Sequence, residues 1–348
     1  MPEPTKRATS ADVAKHAGVS RATVSMVLNN RTEGTVSTAT RERVLRAASD
    51  LQYRRSRTAL ALKEQRTRTI GIVSDEIVTS PWAGRMIRSA IATASERGYV
   101  SLTADLSIAG ATLEGAAHTF AERDVDGLVV ASMGAGEVAI PATLPHVPLV
   151  LLNCRSADSP GMASLAQFMP DDAEGARRAA RRLIDTGHRR IAMLAGDDAS
   201  IANTSRIAGF AEVCRAAGVE ATVVEAGWNF DDGHRAGLAV LDVPANQRPT
   251  AVFCIRDRVA AGFMLAAAHA GLEVPRDVSV IGFDDEDFFA ECLVPPLTTM
   301  ELPHVEMGRD AMTALLNEIE GEVGGERSVR YYPCPLVERA SVGLPIGA

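Results

Sequence analysis

Asp284 follows the apolar run VIGF, which places a carboxylate that can accept two hydroxyl hydrogen bonds at the tip of a strand. Asn153 ends the run VPLVLLN in the same way. Arg206 opens a helical stretch that carries Gly209 and Phe210. Arg256, beside Asp257, closes the run TAVFCI with a second guanidinium. A carboxylate, an amide and two guanidiniums at strand and helix ends are the groups with which a polar small molecule is held. The plainer alternative for Arg206 and Asp284 is a mutual ion pair. Arg256 suits an anionic ligand such as a sugar acid or sugar phosphate, and equally a salt bridge to Asp284 or Asp285.

Catalytic and metal chemistry find no such grouping. There is no P-loop, no G-x-S-x-G and no H-E-x-x-H. The acid pairs Asp231-Asp232 and Asp284-Asp285 lack a partner that would make them catalytic, so no enzyme is expected. Gly134 to Ala139 fits a G-x-G-x-x-A dinucleotide fingerprint after a strand, but Pro141 and Pro145 interrupt any following helix. Cys154, Cys214, Cys254, Cys292 and Cys334 show neither metal-ligand nor redox spacing, so neither a cofactor nor a metal is expected. They read as reduced thiols of a cytoplasmic protein. The N-terminus has no apolar core of a secretory signal, and no run of about 18 apolar residues exists.

Charge divides the chain. Residues 1–68 hold 14 Lys/Arg against 6 Asp/Glu, a balance of +8, while the remainder holds 22 against 38, or −16. That asymmetry fits a phosphate-binding head on an acidic body. In the head, Ser10 is placed to cap a helix over 11–17, which Gly18 ends, and Ser20 to cap a second over 21–28. Val24, Val27 and Leu28 form the inner face of the second helix. Two short helices joined by a glycine-containing turn make a helix-turn-helix, or an ordinary helix corner. A third helix from about Thr38 turns Val44, Leu45, Ala48 and Leu51 inward.

The body must then position the polar groups. Strand-like runs TIGIVS (69–74), GLVVAS (127–132), VPLVLLN (147–153), RIAMLAG (190–196), TAVFCI (250–255) and VSVIGF (278–283) alternate with helical stretches over 84–97, 174–186, 207–217 and 258–270. Continuous apolar strands separated by helices predict an α/β fold of parallel sheets covered on both faces. The length suits two lobes of roughly 100–150 residues better than one sheet. Two lobes with crossovers between them are expected, the first mainly over 69–160 and the second mainly over 161–290, with a ligand in the cleft outside the strand ends. In GHRRIA (187–192) the histidine, His188, reads as a cap of the preceding helix rather than as part of an active site.

The stretch DVAKHAGVSRATVSMVLNN (12–30) closely resembles the head of the lac-repressor (LacI/GalR) family, and VSTATRERVLRAASDLQY (36–53) resembles its third helix. The body is similar to the family's sensor, which shares its fold with periplasmic sugar-binding proteins, through VDGLVVAS (125–132), GHRRIAMLAG (187–196), RIAGF (206–210), VPRDVSVIGFDD (274–285) and PPLTTM (295–300). The resemblance implies a three-helix head over 1–53, a hinge helix and linker over 54–68, and a two-lobed effector-binding domain over 69–348. It places the second helix in the major groove, with Arg21, Ala22 and Met26 reading bases and Ser20, Thr23 and Ser25 positioning phosphates. Arg21 can pair bidentately with guanine, and Ala22 can meet a thymine methyl. Met26 stands where the family commonly has Arg, so the operator half-site is expected to differ.

The family's hinge folds on DNA and presses a leucine into the minor groove; that position is Leu62, with Ala59 facing its partner. Here RRSRTALALK (54–63) lacks the usual Pro-Asn and adds charge, Arg57 included, which favours phosphate contacts. Leu62 as a linker residue packing on the body is the alternative. In the sensor, Trp228 matches an aromatic that stacks on the ligand and Trp82 a second aromatic wall. Together with Asn153, Arg206, Arg256 and Asp284 they suit a sugar, sugar acid or sugar phosphate. Trp228 as a core residue remains the plainer reading. The resemblance therefore implies a homodimeric repressor of a palindromic operator on double-stranded DNA, switched by a small effector, without membrane contact. The alternatives are an effector-independent or co-repressor-dependent regulator and, further off, a ligand-binding protein without DNA function, against which the complete helix-turn-helix and the +8 head argue. The ending SVGLPIGA has no leucine heptads, so a coiled-coil tetramer is not expected.

Overall fold

The computed structural model describes residues 8–28, 36–53, 66–75, 83–141, 147–157, 165–197, 200–322 and 328–345. The chain forms two units, Met1–Thr67 and Arg68–Ala348. Arg57, Ala59, Leu62 and Trp82 lie outside the described residues.

Among the described residues, the first unit has the helices α1 (Ser10–Ala17), α2 (Arg21–Leu28) and α3 (Thr38–Asp50). Thr9, not Ser10, caps α1. Its hydroxyl meets the Asp12 amide, and the Asp12 carboxylate returns to the Thr9 amide at 2.8 Å, a reciprocal box that Ser10 would need an acid at position 13 to build. Gly18 ends α1 at φ +64°, a left-handed residue that frees no strain only because it lacks Cβ. Ser20 caps α2 through the Thr23 amide at 3.1 Å. Val13, Ala14, Ala17, Val24, Val27, Val44 and Ala47 meet in one small core. Val44 points inward as the pattern predicts, with Ala48 and Leu51 packed against the core, whereas Leu45 is 44% exposed and Ala47 takes a buried place one turn after Val44.

The second unit has two six-stranded sheets. The first contains β1 (Thr69–Ser74), β2 (Val100–Asp105), β3 (Gly127–Val138), β4 (Leu149–Ser156), β5 (Ala166–Pro170) and β11 (Val329–Tyr332), in the order β11-β5-β4-β3-β1-β2, all parallel. The second contains β6 (Arg190–Ala195), β7 (Glu220–Glu225), β8 (Ala251–Cys254), β9 (Ser279–Asp284), β10 (Thr298–Glu301) and β12 (Leu336–Val337), in the order β12-β10-β9-β8-β6-β7. Only the β10–β12 pair is antiparallel. Apolar strands such as β1 and β9 are buried nearly end to end, as a sheet covered on both faces requires.

The helices of this unit are α4 (Ala83–Glu96), α5 (Leu113–Ala121), α6 (Asp172–Asp185), α7 (Ile201–Ala216), α8 (Phe230–Leu241), α9 (Asp257–His269) and α10 (His304–Glu320). The lobes are not consecutive in sequence. β5, β11 and α10 lie beyond residue 160, yet the two strands pair in the first sheet and α10 packs Met307, Ala311, Met312, Leu315 and Leu316 into its core. The chain therefore crosses between lobes after Pro170, near Leu302 and between β11 and β12. Residues 134–138 continue β3 instead of forming a phosphate loop before a helix. Arg206 sits in the second turn of α7, because that helix starts five residues earlier than its apolar pattern indicates.

Candidate functional site

On the head, Arg21, Ala22 and Ser25 are exposed along α2, and Thr23 and Met26 are half-buried. The Ser20 and Thr23 hydroxyls lie 2.9 Å apart, so both take part in the cap. Val24 and Val27 hold the opposite face in the core. The arrangement leaves one helix face with a guanidinium, a methyl and a hydroxyl outward, which is what base-edge and phosphate contacts need.

In the second lobe the polar groups converge on the carboxyl ends of β8 and β9. Arg206 is 4% exposed, and its Nε donates to Asp172 Oδ1 at 2.8 Å. Its Nη1 donates to the Ile255 carbonyl at 2.6 Å, and its plane lies 3.6 Å over the Phe283 ring. Asp284 stands 4.0 Å from the same guanidinium, so Asp172 is the principal ion-pair partner. Arg256 donates through Nε to Asp284 Oδ2 at 3.1 Å, which realises the salt-bridge alternative. Burial pushes Asp172 and Asp284 above the usual carboxylate range; Arg206 opposes this for Asp172, and Arg256 and then Arg206 oppose it for Asp284.

Asp257 is fully buried and its oxygens meet the Thr299 hydroxyl at 2.5 Å and the Glu286 amide at 2.9 Å. Burial, with the charge of Asp284 added, pushes its carboxyl well above the usual range. Arg258 holds Glu286 bidentately at 2.8 and 3.0 Å, and Arg339 holds Asp285 at 2.7 Å. These contacts fix a turn in which Asp284 (φ +127°) and Asp285 (φ +50°) both adopt left-handed backbone. Such strain persists only where neighbours over-determine it, and it gathers at ligand sites.

The first lobe gathers polar groups similarly, although β4 runs past Asn153 to Ser156 instead of ending there. Asp75, just after β1, accepts from the Met133 amide at 2.7 Å and the Ser132 hydroxyl at 2.9 Å. Asn153, at φ +55°, donates to the Ser132 carbonyl at 2.8 Å. Its Oδ1 is buried and accepts no hydrogen bond among the described residues. Trp228 lies against the end of β6: a Cβ on Gly196 would sit 2.6 Å from its ring. Its indole N–H is also buried without an acceptor. Asn203 pins Gly196 through both backbone groups, at 3.0 and 3.1 Å.

Among the described residues, two sets of contacts join the lobes. Ala202, Ile201 and Trp228 pack with Ala135 and Met169. Arg85, in the first turn of α4, donates to the Asp285 carbonyl at 2.9 Å and approaches Asp287 at 3.3 Å and Glu301 at 3.6 Å. Asp172, Asp75, Asn203, Gly196 and Arg85 were not singled out from sequence. Asp75 carried a signal, as an acid directly after the strand-like run TIGIVS. His188 is buried, but its ring bridges the Thr250 hydroxyl and the Gly343 carbonyl rather than capping a helix, so it ties β8 to the C-terminal segment.

A family model described as bacterial regulatory proteins, lacI family, matches residues 9–56, and one described as a periplasmic binding protein-like domain matches residues 180–342. The HTH-type transcriptional repressor CytR of Escherichia coli K12 is 33% identical over 338 residues, covering 96% of each chain. The chain belongs to the lacI family. The repressor PurR of Erwinia tasmaniensis is likewise 33% identical, over 96% of this chain and 97% of its own. Among solved structures, the lac repressor dimer bound to operator and the anti-inducer ONPF superposes with a TM-score of 0.79 at 26% identity, over 97% of this chain and all of that one. The CelR–cellobiose complex has a TM-score of 0.66 at 31% identity, over 96% of this chain and all of that one. This lacI-family member is a DNA-binding transcriptional regulator with a ligand-binding sensor domain. Its relatives are regulators, not enzymes.

Proposed function

We propose that this regulator is a cytoplasmic homodimeric repressor, without enzymatic activity, whose hold on a palindromic operator is controlled by a neutral sugar-like effector between the lobes. The single observation that supports the effector class is the pairing of both guanidiniums in the second lobe, Arg206 with Asp172 and Arg256 with Asp284. The pairs offset each other's charge, so an anionic ligand would meet no unmatched cation there. A neutral ring can stack on Trp228, donate a hydroxyl hydrogen to Asn153 Oδ1 and accept from the Trp228 indole N–H, satisfying both unpartnered atoms. The lac repressor and CelR relatives bind operator DNA and cellobiose respectively, which fits both halves of the reading. Arg21, Ala22 and Met26 read bases, Ser20, Thr23 and Ser25 position phosphates, and Arg57, Ala59 and Leu62 act from the hinge.

The effector-independent alternative rests on the lobe-to-lobe contacts of Arg85 and Trp228, which join the lobes through the chain's own side chains. One experiment separates the two. The full chain is melted against neutral sugars, nucleosides, sugar acids and sugar phosphates, and operator binding is titrated at several salt concentrations with each hit. A neutral sugar or nucleoside at about 100 times its Kd should add about 2.7 kcal/mol and alter operator affinity. Hits confined to acids or phosphates would overturn the neutral assignment. No stabilisation by any class, with salt-dependent DNA binding intact, would establish the alternative. DNA binding unaffected by loss of residues 1–67 would refute the DNA reading.

A further inference from the structure

Away from the cleft, α8 and α9 pack at backbone distance. A Cβ on Gly233 would sit 2.1 Å from the Val259 carbonyl oxygen, and one on Gly262 would sit 2.0 Å from that of Phe230. Helices this close hold the side chains beside their crossing in a fixed frame. Two of those side chains are histidines, His234 on α8 and His269 in the last turn of α9. His234 Nε2 lies 3.0 Å from His269 Nδ1, with the rings edge-to-face and their centroids 5.1 Å apart.

A hydrogen bond between two imidazoles uses one N–H and one lone pair. The same separation serves another purpose. Two imidazole nitrogens bound to one ion at roughly 2.0–2.1 Å, in neighbouring positions of its shell, stand roughly 2.8–3.4 Å apart. We propose that His234 and His269 form a two-point site for a borderline divalent ion of the zinc, nickel or copper class, on the face of the second lobe formed by α8 and α9. On binding, the ring that holds the shared proton changes tautomer and carries it on its other nitrogen. Rotation of both rings about their side-chain bonds then turns the two lone pairs onto one point. Two waters leave the hydrated ion and the two nitrogens replace them; nothing is oxidised or reduced.

No third His, Cys, Asp or Glu joins the pair among the described residues, so water fills the remaining positions and affinity is set by two ligands. The ion would cross-link α8, which starts two residues after Trp228, to α9, which starts one residue after Arg256. It would therefore brace the helices behind the proposed effector site without touching that site.

The test is calorimetric titration of Ni²⁺ into the untagged full chain carrying Cys292→Ser, since Cys292 is an exposed thiol. One ion per chain is expected, with affinity at least tenfold weaker in His234→Gln and in His269→Gln and no such site in the double variant. Metal-free melting curves and circular dichroism check that the variants fold. Absence of binding, or binding unchanged in the double variant, overturns the proposal. Should the variants not fold, substoichiometric Cu²⁺ in the unsubstituted histidine background gives the answer by electron paramagnetic resonance. Coupling to two nitrogens supports the site, and coupling to one or none overturns it. Neither readout depends on effector or DNA.

Discussion

Asp172→Asn is expected to destabilise the sensor by about 3 kcal/mol, the lower end of the roughly 3–5 kcal/mol for leaving one member of a buried ion pair alone. Arg206 and Asp172 are 4% and 3% exposed, so water cannot replace the missing charge. The lower end applies because Asp284 remains 4.0 Å away and the Phe283 face still covers the guanidinium. The cost of burying Asp172, visible in its raised pKa, is also relieved. At about 2–4 °C per kcal/mol for a domain of this size, the melting temperature should fall by roughly 6–12 °C. Urea unfolding followed by tryptophan fluorescence is suitable, because both tryptophans, Trp82 and Trp228, belong to the second unit. The companion variant Asp172→Leu/Arg206→Met removes both charges and should lose less than the single substitution. A single-variant loss below about 1 kcal/mol, or a double variant that is the more damaged, would refute the ion-pair reasoning.

Three further outcomes follow from the geometry. Asp257 has a folded pKa raised well above the ordinary range, so the folded chain holds a proton the unfolded chain releases, and stability falls as pH rises from the ordinary aspartate range through the folded value. Asp257→Asn mimics the protonated carboxyl towards Thr299 and should flatten that fall in pH-dependent melting; an unchanged slope would locate the proton elsewhere. Gly233→Ala drives a methyl to 2.1 Å from the Val259 carbonyl oxygen, which should cost about 1–3 kcal/mol by separating α8 from α9, read in the same urea assay. Arg21→Ala should weaken operator binding by about 1–3 kcal/mol and relax preference at one base position, whereas an equal loss on all sequences would make Arg21 a phosphate contact.

The elements that the sequence displays are those whose pattern is local. TIGIVS is β1 residue for residue, since a strand buried on both faces is continuously apolar. The strands that stayed hidden are those for which burial is partial or the run is short. β7, EATVVE, is an exposed edge, and β5, AQFMP, carries a glutamine and a proline. Thr9 and Ser10 are both hydroxyl residues, and only the acid at position 12 decides between them. The site shows the same division. Arg256 and Asp284 stand at strand ends and were visible as such, whereas Asn153 lies inside β4, which continues to Ser156. Their partners were not: Arg206 meets Asp172 across 34 residues, and His234 meets His269 across 35. Those pairings depend on sheet order and on helices that touch through glycine, which no local periodicity encodes.

The two lobes also differ in what can move. Within the second lobe, glycine-mediated helix contacts and the turn at 284–286 leave little slack, because Arg256, Arg258, Arg339 and the Asp257 carboxyl all hold that turn. Between the lobes, the described contacts are few: Arg85 to the same turn, and Trp228 with Ala202 on Ala135 and Met169. A ligand shifts a conformational balance only by binding the two states unequally. A ring that stacks on Trp228 must compete with Met169 and Ala135 for that face, and any motion of the 284–287 turn must strain or break the Arg85 bonds. Under the proposed function, an effector that displaces this turn acts on α4 through the Arg85 contacts.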